Sequence, residues 1–289
     1  MKKSLIIVMV IVLAISSIAL LSGCDEVKIK LIDVQLSNEE YAFGVKKGNT
    51  ELLNSVNGFL VEKADDIQAI FDKYGNATPD ELTSFGNADI KTTPTAGADE
   101  LVVATNLDFS PFEYTNGTKI AGIDMEIAQM LADYLNKTLV IVHMDFDAVV
   151  TTIQTQADYD IAIAGLSITP DRAAQLDFCS VYYNATQSII VKEDDTTFDD
   201  CKVDGEYDAD LVEAKLATLS GEGAICSGQR GTTSQYYIEG NDSFGFSGFS
   251  NLTFKGHSSA AEAVEDMKNG NIAFVVVDQT TAKNIIKSI

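Results

Sequence analysis

The sequence predicts an α/β fold in two lobes, and three observations lead there. From Leu101 onward, short apolar runs alternate with amphipathic stretches of helical period, the pattern of open sheets covered by helices. The length of 289 residues allows two hydrophobic cores. After the N-terminal apolar stretch, no run approaches the roughly 18 residues that a membrane span requires, so the body of the chain reads as globular.

Taken in order, the chain opens with Lys2 and Lys3, an almost wholly apolar stretch over 5–21, and Leu21-Ser22-Gly23-Cys24. This is a secretory signal with a lipobox. Cleavage before Cys24 leaves that cysteine as a lipid-carrying N-terminus on the outer face of the cytoplasmic membrane. An uncleaved membrane anchor is the alternative. Residues 28–36 and 42–45 read as strands. Asn49 caps a helix with Leu52, Leu53, Val56, Phe59 and Leu60 on one face, and 65–74 adds a further turn or two. Residues 76–100 are rich in Thr, Asp, Gly, Pro and Ala without periodicity, the composition of a linker.

Strand 101–105 leads to a helix over 122–136 that gathers Ile123, Ile127, Met130, Leu131, Tyr134 and Leu135 on one face. Strand 139–142, helix 147–154 and strand 160–164 follow, and 209–219 is helix-like. Ser259-Ala260-Ala261-Glu262 is a capping box that opens a helix ending before Asn269-Gly270. The apolar run 272–277 stops abruptly at Asp278, and 280–286 forms a short last helix.

Charge and cysteine content narrow the function classes. The formal charge of −23 becomes −25 when Lys2 and Lys3 leave with the signal, which argues against nucleic acid and anionic lipid as partners, since both demand basic patches. Cys179, Cys201 and Cys226 remain, none at the spacing of a zinc site, and neither a metal nor a cofactor is expected. One bridge and one free thiol is the expected arrangement. Cys201 and Cys226 flank the segment 209–219, and closing that loop in an oxidising compartment contributes about 3 kcal/mol. Three reduced thiols is the alternative.

The stretch Leu101-Val-Val-Ala-Thr-Asn-Leu-Asp-Phe-Ser-Pro-Phe-Glu-Tyr, with Gly122-Ile-Asp, Met144-Asp-Phe-Asp and Ala164-Gly-Leu-Ser-Ile-Thr-Pro-Asp-Arg172, resembles the opening half of the polar amino-acid-binding proteins of ABC importers, the family 3 extracellular solute-binding proteins. Gly231-Thr232-Thr233 and Ala273-Phe-Val-Val-Val-Asp278 resemble their second lobe. The order of parts departs from the family. A block like Leu36-Ser-Asn-Glu-Glu-Tyr-Ala-Phe-Gly-Val-Lys-Lys-Gly-Asn-Thr-Glu-Leu-Leu closes the family's sequences, whereas here it opens the mature chain. A circular permutation accounts for this, the linker 76–100 joining the family's usual ends; a segment-exchanged dimer is the alternative.

The resemblance implies a periplasmic-binding-protein-like type II fold, two α/β lobes joined by a two-crossing hinge, in a monomer. Residues 25–37 then complete lobe 2, 38–191 form lobe 1 and 192–289 form lobe 2, with crossings near 36–41 and 191–195 and closure about that hinge. It implies capture of a free amino acid for the permease subunits of an importer.

A free amino acid presents a carboxylate and an ammonium, so its site needs a planar cation, N–H donors and an anion, at the carboxyl ends of strands. By the resemblance, Arg172 grips the α-carboxylate with help from Ser167 and from the N–H of Thr232 in the other lobe. Asp278, costly to bury unpaired, meets the ammonium with the carbonyl of Gly165. Phe109 and Phe146 sandwich the aliphatic part. Asn106 touches the ligand's side chain, where an amide suits a neutral polar group. The plainer alternatives are a surface pair between Arg172 and Asp171 or Asp177, a helix cap at Asp278, and core packing for the two phenylalanines. An enzyme on the same fold needs a general acid such as Glu113 turned inward, but Pro111-Phe112-Glu113 reads as a rim, and His143 and His257 lie away from the motifs with no nucleophile, base and acid together. A ligand sensor presenting its closed form to a receptor is the third reading.

Overall fold

The computed structural model describes residues 27–76, 91–95 and 98–288. The signal segment, Cys24 and most of the expected linker lie outside the described residues.

Two five-stranded sheets organise the chain. The first has the order Leu176–Phe178, Gly44–Lys46, Ile161–Ala162, Glu100–Thr105, Thr138–His143. Glu100–Thr105 runs parallel to both of its neighbours. Gly44–Lys46, from the start of the chain, inserts antiparallel between Ile161–Ala162 and Leu176–Phe178. The second sheet has the order Ile29–Ile32, Gln187–Lys192, Phe274–Asp278, Ile225–Gln229, Thr253–His257.

The central strands of the second sheet carry apolar residues on both faces because both faces are buried. Ile189, Val191, Phe274 and Val276 point into one cluster with Phe198, Val212 and Tyr237. Ile190, Val275 and Val277, one residue out of phase, point into the other with Ala263, Val264 and Met267 of the helix Ala260–Lys268. In the first lobe, helices Thr50–Glu62, Ala64–Asn76 and Ile123–Tyr134 bring Val56, Phe59, Ile67, Ile127 and Leu131 onto Leu101 and Val103. Their ends follow the local signals. Asn49 accepts the N–H of Leu52, and Ser259 accepts the N–H of Glu262.

The expected crossing at 191–195 is corrected. Gln187–Lys192 belongs wholly to the second sheet, paired with Ile29–Ile32 and Phe274–Asp278. The chain passes between lobes just before it, where Tyr183–Ala185 pairs antiparallel with Glu39–Tyr41. The two crossings are laced side by side: Leu36 N–H donates to the Gln187 carbonyl at 3.0 Å, and Gln187 N–H to Ser37 Oγ at 2.8 Å. A strand buried on both faces carries no mark of which sheet it joins, so the apolar run alone misplaced the boundary. The strand expected over 28–36 is likewise confined to Ile29–Ile32, since the residues after it form the first crossing. The tail of the expected linker is also structured. Lys91 bridges to Val140 beside the first sheet and pairs with Glu100.

The expected Cys201–Cys226 bridge is not formed; Cys179, Cys201 and Cys226 are all free and buried. Cys201 Sγ donates to the Leu211 carbonyl and Cys226 Sγ to that of Thr253, so the two thiols serve different walls of one apolar cluster. Burial pushes the thiols of Cys179 and Cys226 up to about 12.

Candidate functional site

Two of the expected site residues bond across the two lobes: Arg172 to Gly231 and Asn106 to Gln229. Arg172 lies in the short helix Pro170–Ala173, where Thr169 caps the Arg172 N–H at 3.2 Å and Pro170 fixes the first turn. Arg172 is 5% exposed. Nη1 donates to the Ser167 carbonyl at 2.8 Å, and Nη2 crosses to lobe 2, donating to the Gly231 carbonyl at 3.0 Å. The cation also faces the rings of Phe146 at 5.3 Å and Tyr236 at 5.9 Å. Among the described residues it has no carboxylate within ion-pair distance. The surface pairing is therefore not realised: Asp177 pairs with Lys47 at 3.2 Å, and Asp171 accepts from Asn241 and Ser243. Burial lowers the pKa of Arg172, an effect opposed by the nearby Tyr236 and Glu39.

Asp278 closes the strand Phe274–Asp278, is buried, and makes no side-chain cap to the helix Gln279–Lys287 that it precedes. Its Oδ1 instead accepts the hydroxyl of Tyr41. Burial, then the charge of Glu39, pushes its carboxyl up to about 7 against the hydrogen bonds of Tyr41 and Gln187. An ammonium brought beside it would relieve both causes.

Gly165 adopts φ +51°, and a Cβ there would stand 2.7 Å from Phe109 Cε1, so this position needs glycine. Its N–H donates to Asp124 at 2.8 Å. Phe109 is buried and stacks on Phe112 at 5.5 Å. Ser167 receives Arg172 on its carbonyl and donates its hydroxyl to Glu39 at 2.8 Å. Thr232 starts the helix Thr233–Glu239, with its hydroxyl donated to the Gln229 carbonyl at 2.7 Å. Asn106 donates to the Met144 carbonyl and accepts from Gln229 Nε2 of the other lobe at 2.8 Å.

Sequence reasoning missed four members of this cleft. Glu39, 1% exposed, accepts from Ser37, Ser167 and Gln187. Tyr41 and Gln187 approach Asp278 from the hinge, and Gln229 faces Asn106. A readable signal existed for the first two: in Glu39–Tyr41 the burial alternates, so Glu39 and Tyr41 share the inner face while Glu40 points out.

Glu113 is corrected from rim to interior. It is fully buried against Asp124, whose carboxylate also accepts the Tyr182 hydroxyl at 2.8 Å. Burial, then the charge of Asp124, holds the Glu113 carboxyl well above the usual range, and Asp124 is pushed up by burial to about 6. A nucleophile, base and acid do meet elsewhere: Ser227 Oγ is 2.7 Å from His257 Nδ1, and His257 Nε2 is 3.3 Å from Asp266. Ser227 is completely buried and donates to the Lys255 carbonyl, so the trio ties strand to strand rather than facing a substrate. Among the described residues no His, Cys, Asp and Glu group is arranged to hold a metal, and no helix is long and apolar enough to cross a membrane.

Against known proteins, the family model for bacterial extracellular solute-binding proteins, family 3, matches residues 101–287. The chain is 35% identical over 99 residues to the arginine-binding extracellular protein ArtP of Bacillus subtilis, covering 34% of this chain and 38% of that protein. It is 25% identical over 187 residues to a probable histidine-binding protein of Neisseria gonorrhoeae, covering 64% of this chain and 61% of that one. The matches thus span less than two thirds of either relative. The crystal structure of the ancestral amino acid-binding protein AncCDT-1, a precursor of cyclohexadienyl dehydratase, superposes with a TM-score of 0.54 at 25% identity, over 65% of this chain and 74% of that one.

Proposed function

The chain belongs to the bacterial extracellular solute-binding proteins of family 3 and has the fold of type II periplasmic amino-acid-binding proteins, and from that premise we propose that it captures a free polar amino acid outside the cytoplasm, by closure of two lobes, for delivery to an ABC-type importer. The observation that carries this reading is the convergence, in one interlobe cleft, of a buried guanidinium without a carboxylate partner and a buried carboxylate without a cation. A zwitterion supplies both missing charges at once. In this reading Arg172, Ser167 and Thr232 receive the carboxylate, Asp278 and Gly165 the ammonium, Phe109 and Phe146 flank the aliphatic part, and Asn106 meets the side chain. Glu39, Tyr41 and Gln187 hold Asp278 and the hinge in place. The protein acts as a monomer held to the outer face of the membrane through Cys24.

The same reading includes a circular permutation. Its support is that the family match begins at residue 101, while Gly44–Lys46 completes the first sheet and Ile29–Ile32 the second, both from ahead of the match. Dehydratase-like acid chemistry is the weaker reading, since Glu113 is turned inward but is enclosed with Asp124 and Tyr182.

A thermal-shift screen of the purified protein against the twenty amino acids, cystine and ornithine, with sugars and metals as controls, tests the proposal. A marked rise with one or a few amino acids is expected, because a ligand that binds only the folded state stabilises it by mass action. Silence with every amino acid would overturn it.

A further inference from the structure

We propose that the cleft selects an amino acid whose side chain is uncharged and carries a primary amide, and that Gln229, paired with Asn106, is the selecting residue. The inference rests on the amino-acid-capture reading and names the ligand class for it. Asn106 stands just past the end of Glu100–Thr105 in lobe 1, and Gln229 at the end of Ile225–Gln229 in lobe 2. Both are nine-tenths or more buried, and they meet directly, Gln229 Nε2 donating to Asn106 Oδ1 at 2.8 Å. Each is held by a backbone carbonyl: Asn106 Nδ2 donates to Met144 and Gln229 Nε2 to Ser258, both at 2.9 Å. The Gln229 carbonyl accepts the Thr232 hydroxyl, which ties the pair to the loop that reaches Arg172.

A ligand whose α-carboxylate lies on Arg172 and whose side chain runs toward the strand ends therefore meets two amides, one from each lobe. An amide inserted between them offers one acceptor to the Gln229 N–H and one donor to the Asn106 oxygen, so every bond it breaks is replaced in kind. A guanidinium or ammonium presents only donors. It would meet only neutral acceptors and the N–H groups of the amides, with no carboxylate bonded to either amide, and burying an ion without a counter-ion is strongly unfavourable. A carboxylate side chain fails in the opposite sense, against the Asn106 oxygen.

The cleft buries two carboxylates against one guanidinium, and a cationic ligand would offset the surplus. A free amino acid with an uncharged side chain is net neutral and leaves that surplus in place; it sits beside Tyr41, Ser37, Ser167 and Gln187, which hydrogen-bond the carboxylates, and not at the amide pair. Asp108 and His143, close to Asn106, face each other at 3.8 Å with about half of each side chain in solvent, and Glu262 is bonded by Ser258 rather than by either amide.

Titration calorimetry of the purified protein with glutamine, asparagine, glutamate, arginine, lysine and histidine tests the inference. Glutamine or asparagine is expected to bind at least about tenfold more tightly than the charged amino acids, the discrimination of a site built to hydrogen-bond its ligand. Asn106→Asp should shift the arginine-to-glutamine affinity ratio toward arginine by about tenfold or more, and Gln229→Leu should bring the ratios within about threefold of one another. Arginine, lysine or histidine binding most tightly to the unaltered protein would overturn the ligand class and leave amino-acid capture standing. Binding of no amino acid would overturn both. A Gln229→Leu protein that keeps its amide preference would remove Gln229 from the role.

Discussion

Ligand affinity should depend on pH through Asp278, in a window set by its environment. In the ligand-free cleft, burial and then the charge of Glu39 push this carboxyl up to about 7. A ligand ammonium pairs with the ionised form only, so below that value binding must first release a proton. Affinity should be level above about pH 8, fall tenfold for each unit below 7, and be about 100-fold weaker at pH 5, a loss of about 2.7 kcal/mol. Calorimetry at pH 5, 6, 7 and 8, repeated in two buffers of different ionisation enthalpy, reads both affinity and proton release, which should approach one per ligand at pH 6. Glu39→Gln removes the second cause of the shift and should move the midpoint to lower pH. A dissociation constant flat within threefold from pH 5 to 8, or proton uptake on binding, would refute the assignment of Asp278 to the ammonium.

Other predictions address the same cleft and the fold. Arg172→Ala should make amino-acid binding undetectable by thermal shift, because removing one side of a buried charge pair costs about 2–5 kcal/mol of the roughly 8 in a micromolar complex; Arg230→Ala, at an exposed position, should retain most of it, and equal losses would mean the wrong arginine. For stability without ligand the sign is opposite to that for binding. A carboxyl raised on folding contributes stability that is present below its unfolded pKa and lost as pH rises through about 7, up to roughly 4 kcal/mol here. Asp278→Asn should therefore raise the ligand-free Tm at pH 8 while abolishing the ligand-induced shift, and an unchanged or lower Tm would contradict the burial argument. Thiol labelling should find Cys179, Cys201 and Cys226 silent in the native protein and all reactive after denaturation; a single reactive thiol would restore the bridge. Joining the C-terminus to the start of Ile29–Ile32 by a short flexible link, and opening the chain between Asn76 and Glu100, should leave ligand preference and Tm within a few degrees of the original. Loss of folding would count against the permutation.

Much of the fold was legible because its signals are local. Helices over 50–62, 123–134 and 260–268 announce themselves by period and by Asn49 and Ser259 at their starts, and Glu100–Thr105 and Phe274–Asp278 by unbroken apolar runs. The hinge was not legible to the residue. Gln187–Lys192 is buried on both faces and would look the same in either sheet, so only its partners, Ile29–Ile32 and Phe274–Asp278, decide its lobe. Of the expected site residues, Arg172, Ser167, Asn106, Thr232 and Asp278 lie where the lobes meet because the motifs carrying them sit on strand ends or the loops after them, whereas Phe109 and Phe146 join the core clusters of the first lobe, as the plainer alternative had it. Glu113 failed for a specific reason: Pro111, Phe112, Glu113 and Tyr114 are buried without a break, leaving no alternation from which to read its direction.

Glu39 was the harder loss, and its position joins the two crossings to the proposed site. The ribbon of Glu39–Tyr41 and Tyr183–Ala185 carries the chain between lobes, yet the same ribbon supplies Glu39, which raises Asp278, and Tyr41, which donates to it. Gln187, the first residue beyond the crossing, donates to Glu39 and accepts from Ser234 of the helix that follows Thr232. A change of charge at Asp278 is thus felt within one hydrogen bond by both crossings. Two-lobed capture needs coupling of that kind, since a ligand drives closure only by the difference in its contacts between the open and closed states. Here the segment ahead of the family match, Glu39–Tyr41, and the segment within it, Tyr183–Ala185, each contribute one side of that ribbon.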